Sequence, residues 1–271
     1  MATHVSFDAV SLTYEGPNAN RTKVFTDLSF EIARGEFVAI IGPSGCGKTS
    51  VQKMICGLLP PSSGRIAIDG MDPADARKKR LFSYVFQNPV LFRWRTVREN
   101  ILLPAEIVNS GSYEGRAEEL IHTVGLTGFA DAYPDMLSGG MQSRAQIARA
   151  LLLEPEGLAL DECFGHLDEI TRFRMNLELL RIWGISRPTI VFVTHSVEEA
   201  AFLSDRVLVF GQRPVGIVSS LAVEIPRPRD LDAMNTLEFR NIVSRIRDTL
   251  ASTHIDPPEM KTSASDVSAE G

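Results

Sequence analysis

The chain has 271 residues, 44% of them hydrophobic and 23% charged, a balance that excludes an intrinsically disordered protein and supplies one large core or two small ones. Its 28 Lys and Arg against 34 Asp and Glu leave a formal charge of −6, which argues against a protein whose main work is coating nucleic acid, though not against a local basic groove. No apolar run approaches the roughly 18 to 20 residues that cross a bilayer, and the start lacks the basic-then-apolar pattern of a signal peptide. The three cysteines, Cys46, Cys56 and Cys163, have no metal-type spacing, so the expectation is a soluble, unexported chain in a reducing cytoplasm.

Short β-like runs come first: Val5 to Val10, Leu28 to Ile32, and Phe37 to Ile41, the last a continuous apolar stretch suited to a strand buried on both faces. Gly42 to Gly45 stops it. From Lys48 onward, Val51, Met54, Ile55, Leu58 and Leu59 share one helical face, and Pro60-Pro61 is expected to end that helix. Gly64 to Gly70 reads as a short strand ending in a turn, and Leu81 to Phe86 as another after the basic run Arg77 to Arg80. Between about Asn88 and Glu154 lie helical patterns at Val97 to Ile107, Arg116 to Val124 and Met141 to Leu153, a mostly helical insertion. Strand patterns return at Leu158 to Leu160 and Thr189 to Val193 around a helix from Glu169 to Trp183, which favours right-handed βαβ units and a parallel sheet. Ser196 to Glu199 has the Ser-x-x-Glu spacing of a capping box. No internal repeat is visible, and Ala251 to Gly271 reads as a disordered tail.

Gly42-Pro43-Ser44-Gly45-Cys46-Gly47-Lys48-Thr49 fits G-x-x-x-x-G-K-[ST] and lies where that motif must lie, between an apolar strand and an amphipathic helix. Glycines let the loop curl so that consecutive N–H groups face phosphate oxygens; the helix N-terminus, Lys48 and the Thr49 hydroxyl add a dipole, a point charge and a ligand for Mg²⁺. Ser50 completes the loop's candidate set. The alternative is an accidental glycine turn beside a surface lysine. Further on, Leu158 to Glu162 is an apolar strand that delivers two adjacent carboxylates at its C-terminal end, where ligands bind in α/β sheets. Asp161 is expected to hold Mg²⁺, directly or through water. Glu162, on the opposite side of the pleat, is placed to accept a proton from an attacking water.

Leu137-Ser138-Gly139-Gly140-Met141-Gln142, followed by Arg144 and Ile147 to Leu151, resembles the signature of ABC transporter ATP-binding subunits. Physically it offers a second anion site, because Ser138 and the Gly139 and Gly140 amides open a helix. The resemblance spans roughly Val5 to Gly211. It implies an α/β P-loop NTPase core of ABC type with an antiparallel β subdomain and an inserted α-helical signature subdomain. It divides the chain into residues 1–87 (core with P-loop), 88–154 (helical, with signature), 155–211 (core with Walker B, D-loop and switch histidine), 212–250 (C-terminal extension) and 251–271 (tail). It also implies roles. Tyr14 resembles the aromatic that stacks on adenine, Gln87 the Q-loop glutamine that reports on Mg²⁺ and water and joins Thr49 and Asp161 in the expected Mg²⁺ set, and His195 the switch histidine that contacts the γ-phosphate. Ser138, Gly139, Gly140 and Asp168 resemble groups that complete the other subunit's site. Three positions depart from the family pattern: Cys163 stands where proline is usual, His166 where alanine is common, and Ser143 where glutamine is commoner.

The implied activity is hydrolysis of ATP with Mg²⁺ at a dimer interface, coupled to solute movement through separate permease subunits, with an external solute-binding protein as an indirect partner and no nucleic acid. Leu91 to Asn100 and Ile225 to Arg229 resemble the nitrate, sulfonate and taurine importer group, whose ATPases are peripheral on the cytoplasmic face of the cell membrane. In that group the segment after Gln87 forms part of a groove for a helix of the membrane subunit, with Phe92 and Trp94 as candidate apolar contacts there. Two rivals stay open: a soluble, non-transport ABC ATPase acting on nucleic acid or ribosomes, and a P-loop kinase. The first lacks a second cassette or a long coiled-coil insertion; the second leaves the Leu-Ser-Gly-Gly segment unexplained. Cys46, inside the phosphate loop, is expected to block nucleotide binding when labelled by a bulky thiol reagent.

Overall fold

The computed structural model describes residues 2–15, 21–109, 111–165, 167–214 and 216–253; His166 and most of the expected tail lie outside them. In chain order the elements are β1 (Thr3–Glu15), β2 (Arg21–Ala33), β3 (Phe37–Ile41), α1 (Lys48–Ile55), β4 (Ser63–Ile68), α2 (Pro73–Lys78) and β5 (Phe82–Val85). Three helices follow, α3 (Val97–Val108), α4 (Glu114–Thr123) and α5 (Gly139–Leu151). Strands and helices then alternate through β6 (Gly157–Asp161), α6 (Glu169–Ser186), β7 (Thr189–Val193), α7 (Val197–Leu203) and β8 (Arg206–Phe210), ending in β9 (Ile217–Ala222) and α8 (Leu237–Ser252).

β3, β6 and β7 are apolar along their length because both faces are covered: every residue of each is buried. They sit within a six-stranded sheet of order β5-β6-β7-β3-β8-β9, whose pairs are parallel except β8 with β9. Strand alternation splits the core in two. Phe37, Ala39 and Ile41 point to one side, into a core shared with α3 to α8; Val38 and Ile40 point to the other, toward α1 and a three-stranded antiparallel sheet of order β2-β1-β4. The signature-bearing helices and the phosphate loop's helix are thus packed on opposite faces of one sheet.

Several boundaries differ from the sequence expectations. α1 stops at Ile55 rather than Pro60, because Gly57 turns into the left-handed region (φ +63°), where a Cβ would lie 2.4 Å from the Pro73 carbonyl oxygen; Leu58 is left half exposed. The Ser196 box is half formed. Its hydroxyl accepts from the Glu199 N–H, but the Glu199 side chain turns inward to Thr194 and Asn176. A complete box forms instead at Thr96 and Glu99, opening α3. The first two residues of the expected tail, Ala251 and Ser252, belong to α8. That helix buries Phe239, Ile242, Val243 and Ile246, one stripe at helical spacing, in the larger core.

Ile225 to Arg229 is a clasp rather than a solvated linker. Arg229 is buried and donates to the carbonyls of Ala201, Phe202 and Ser204 at the end of α7 and to those of Val223 and Ile225. It thereby satisfies acceptors that a helix end leaves orphaned, and burial draws its pKa down to about 10. Arg227 lies over the buried Trp183 ring, 4.1 Å from its centroid, and binds Asp205.

Candidate active site

The site grows from the C-terminal ends of β3, β6 and β7, where a parallel sheet leaves its ligand crevice. After β3 the loop Gly42–Gly47 curls into α1. Gly47 is obligatory: its φ is +110°, and a Cβ there would stand 2.6 Å from Val24. Lys48, itself buried, reaches back to donate to the carbonyls of Gly42 and Pro43, 2.9 Å each, so its ammonium group is held across the mouth of the loop. Thr49 donates to Asp161 Oδ1 at 3.2 Å, and Tyr84 donates to Asp161 Oδ2 at 2.7 Å, orienting that carboxylate from both sides. Burial and the Asp161 carboxylate push the Tyr84 phenol well above its ordinary value, so it remains a donor.

Glu162 lies one residue beyond the strand with φ +45°, a left-handed conformation rare for glutamate. The expectation that the pleat alone separates it from Asp161 is corrected: the backbone turn, pinned by Glu162 N–H to Val193 O at 3.0 Å, swings its carboxylate toward the loop. Oε2 accepts from Gln87 Nε2 at 3.0 Å, and Oε1 lies 2.7 Å from His195 Nε2. Gln87, Glu162 and His195 therefore form one cluster. Tyr14, Val24, Ser44, Gly45, Gly47 to Ser50, Glu162, His195 and Arg213 line a cavity of about 300 Å³. Tyr14 is exposed over 43% of its surface, and its hydroxyl lies 3.1 Å from Ser50 Oγ.

Other expected residues sit elsewhere. Ser138 caps α5 by accepting from the Met141 N–H; it and Gly139 are exposed, and neither they nor Gly140 belong to the cavity lining. Asp168 caps α6 through the Thr171 N–H, and hydrogen bonding to the Thr171 side chain and then to its backbone holds the acid below the usual carboxylate range. Cys46 requires a correction. Its Sγ is turned into the core beside Phe210, only 2% of the residue is exposed, and burial raises its pKa, so only its backbone faces the loop. Pro43, between Gly42 and Ser44, contributes the carbonyl that holds Lys48.

Several participants escaped the sequence reading. Buried Gln52 of α1 donates to the carbonyls of Leu160 and Val191. Gln146 of α5 donates to Phe86 O and accepts from Val90 N–H, tying the Gln87 segment to the signature helix. Ser143, the unusual residue after the signature, donates to Cys163 O. Arg213 follows β8, a strand the sequence reading passed over; its neighbour in the sheet is β3, which would have placed the loop after it at the same edge.

A curled phosphate loop, a strand-end aspartate on the loop's threonine and a glutamate beside it define a P-loop nucleoside triphosphatase. A family model described as ABC transporter matches residues 25–165. The chain belongs to the ABC transporter family; it is an ATP-binding cassette that hydrolyses ATP. It is similar to the aliphatic sulfonates import ATP-binding protein SsuB of Bacillus cereus, 39% identical over 240 residues (88% of this chain, 94% of that one). It is also similar to the nitrate import ATP-binding protein NrtD of Synechococcus elongatus, 37% identical over 234 residues (84% of each). Among solved structures, a post-hydrolysis dimer of an ATP-binding cassette bound to ADP and Pi matches with a TM-score of 0.72 at 27% identity, covering 81% of this chain and 99% of that one. Among the described residues no helix is long and apolar enough to cross a membrane.

Proposed function

We propose that this ATPase is the motor subunit of an importer for a small oxyanionic or organic solute, such as nitrate, a sulfonate, taurine or a related molecule. The observation that carries the reading is the near full-length similarity to SsuB, at 39% identity over 94% of that protein. The surface agrees with a membrane-subunit partner. Trp94 is 73% exposed and stacked flat on Phe92 at 4.9 Å, an apolar platform that Asn100 fixes by bonding Phe92, Arg95 and Thr96. In this reading residues 88–154 transmit motion between that platform and the core, and the protein works peripherally at the cytoplasmic face of the membrane, with an external binding protein delivering solute.

The reaction takes place between two copies. Tyr14 stacks on adenine, the loop amides and Lys48 hold the phosphates, and Ser138, Gly139, Gly140 and Asp168 of the second copy close on the γ-phosphate. Thr49 and Asp161 are hard oxygen donors 3.2 Å apart, with Tyr84 fixing the carboxylate, a set that would hold Mg²⁺. When bound there, Mg²⁺ would supply neutralisation of phosphate charge. Glu162 accepts the proton of the attacking water, while Gln87 and His195, each already bonded to it, fix where that water can sit. Neither nucleic acid nor a phosphoryl acceptor is required.

The test is reconstitution in liposomes with a cognate permease and solute-binding protein, measuring ATP hydrolysis with nitrate, taurine or an alkanesulfonate. The expected outcome is stimulation by one of these solutes. Hydrolysis that ignores the permease, or that responds to DNA or ribosomes, removes the importer reading.

A further inference from the structure

Arg213 lies in the turn between β8 and β9, far in sequence from the phosphate loop. Its Nε nevertheless donates to the carbonyl oxygen of Gly45 at the crest of the phosphate loop, and one terminal nitrogen stands 3.0 Å from where a Cβ on Gly45 would project. The side chain forms part of the wall of the cavity that holds Lys48, Thr49, Glu162 and His195. Among the described residues no carboxylate pairs with it, whereas the neighbouring Arg206 and Arg227 each have one. Nε is used by the loop; no acceptor in the described protein takes the two terminal amino groups.

A guanidinium anchored at one edge and free at the other is pre-oriented for an anion, since its fork is planar and little freedom remains to lose. We infer that Arg213 is a nucleotide-positioning residue, clamping the phosphate loop at Gly45 and adding a second cation, beside Lys48, to the phosphates of ATP. The inference rests on ATP occupying this cavity. The Gly45 carbonyl is an acceptor that no anion could use, and capping it with a cation converts a repulsive group in the loop into an attractive one. Its attraction works on charge present in both ATP and ADP, so it acts on binding more than on the chemical step.

The experiment is calorimetric titration of MgATP and MgADP into the whole chain carrying Arg213→Gln, Arg213→Lys or Lys48→Ala, with steady-state kinetics on the first two. Arg213→Gln is expected to weaken both nucleotides about tenfold, with KM rising in step and kcat falling less than threefold. Arg213→Lys is expected to recover most of the affinity, because it keeps the charge. Equal affinity of wild type and Arg213→Gln would overturn the inference, as would equal losses in the Gln and Lys variants accompanied by a lowered melting temperature. Lys48→Ala separates the two readings: if it too binds MgATP normally, the cavity is not the nucleotide site and the fault lies deeper than Arg213.

Discussion

The Gln87–Glu162–His195 cluster and the mouth of α5 are both polar, both built at element ends, and differ in one respect. In the cluster and the adjoining loop the ammonium and both carboxylates have partners within the chain: Lys48 on two carbonyls, Asp161 between Thr49 and Tyr84, Glu162 between Gln87 and His195. At the mouth of α5, Ser138 and Gly139 face solvent, and the Ser138 hydroxyl serves only its own helix. A site whose groups satisfy one another can be assembled by folding alone and exchange internal bonds for ligand bonds. A helix N-terminus left open on the surface holds half of an interaction, and its other half must come from outside the fold.

The largest effect should fall on the self-satisfied region. Lys48→Ala should lower MgATP affinity by at least about 100-fold in equilibrium titration, since it removes the buried ammonium held across the mouth of the loop. Next, Glu162→Gln should cut turnover roughly 10²- to 10⁴-fold while MgATP binding and MgATP-driven dimerisation persist in size-exclusion chromatography; near-normal hydrolysis would take Glu162 out of the proton-accepting role. The comparison between regions is tested most directly by mixing chains. Ser138→Arg should suppress hydrolysis at least about tenfold yet bind MgATP as a single chain, because the obstruction sits at the open helix end. A mixture of Ser138→Arg with Lys48→Ala chains should regain activity, as one composite site per pair then has both an intact Lys48 and an intact Ser138. No recovery would mean that the two regions act within one chain.

Smaller effects follow from burial. Cys46, Cys56 and Cys163 are all buried, with thiol pKa values raised by desolvation, that of Cys56 to about 12. A maleimide at neutral pH should therefore label the native chain slowly and the urea-unfolded chain at all three positions; rapid native labelling of Cys46 would contradict its inward placement. His4, whose Nδ1 lies 2.6 Å from Thr189 Oγ1, has its pKa drawn below 6.5 chiefly by burial, with Arg34 adding to it. The folded state then resists protonation more than the unfolded one. Stability is complete above the unfolded value of 6.5 and is lost as pH falls from there through the lower folded value. The melting temperature should drop between pH 7 and pH 5.5, and the drop should shrink in His4→Gln.

The phosphate loop, the Asp-Glu strand end and the alternation of central strands with helices were legible because each is written over consecutive residues with a fixed period or spacing. β3 is a clear case, apolar at every position. What the sequence hid depends on contacts between distant segments. Gly57 ends α1 because Pro73 crosses it, and nothing near Gly57 announces that crossing. Glu199 fits a capping box by spacing, yet Thr194 and Asn176 draw its side chain inside. α8 was passed over as an extension, since its apolar stripe acquires meaning only once the larger core is there to receive it.

Gln52 has a mechanical consequence. Fully buried in α1, it binds the carbonyl oxygens of Leu160 on β6 and Val191 on β7 at 2.9 and 2.8 Å. Glu162 lies one residue beyond the first of those strands and His195 two beyond the second. One amide therefore bolts the phosphate loop's helix to the supports of both Glu162 and His195, and the three form a single anvil. In a working cycle the hammer must be elsewhere. Outside that block lie Gln87, beyond the edge strand β5, and the helix α5 that Gln146 ties to the same segment. A stroke that begins with phosphate leaving the anvil would have its first movable purchase at Gln87.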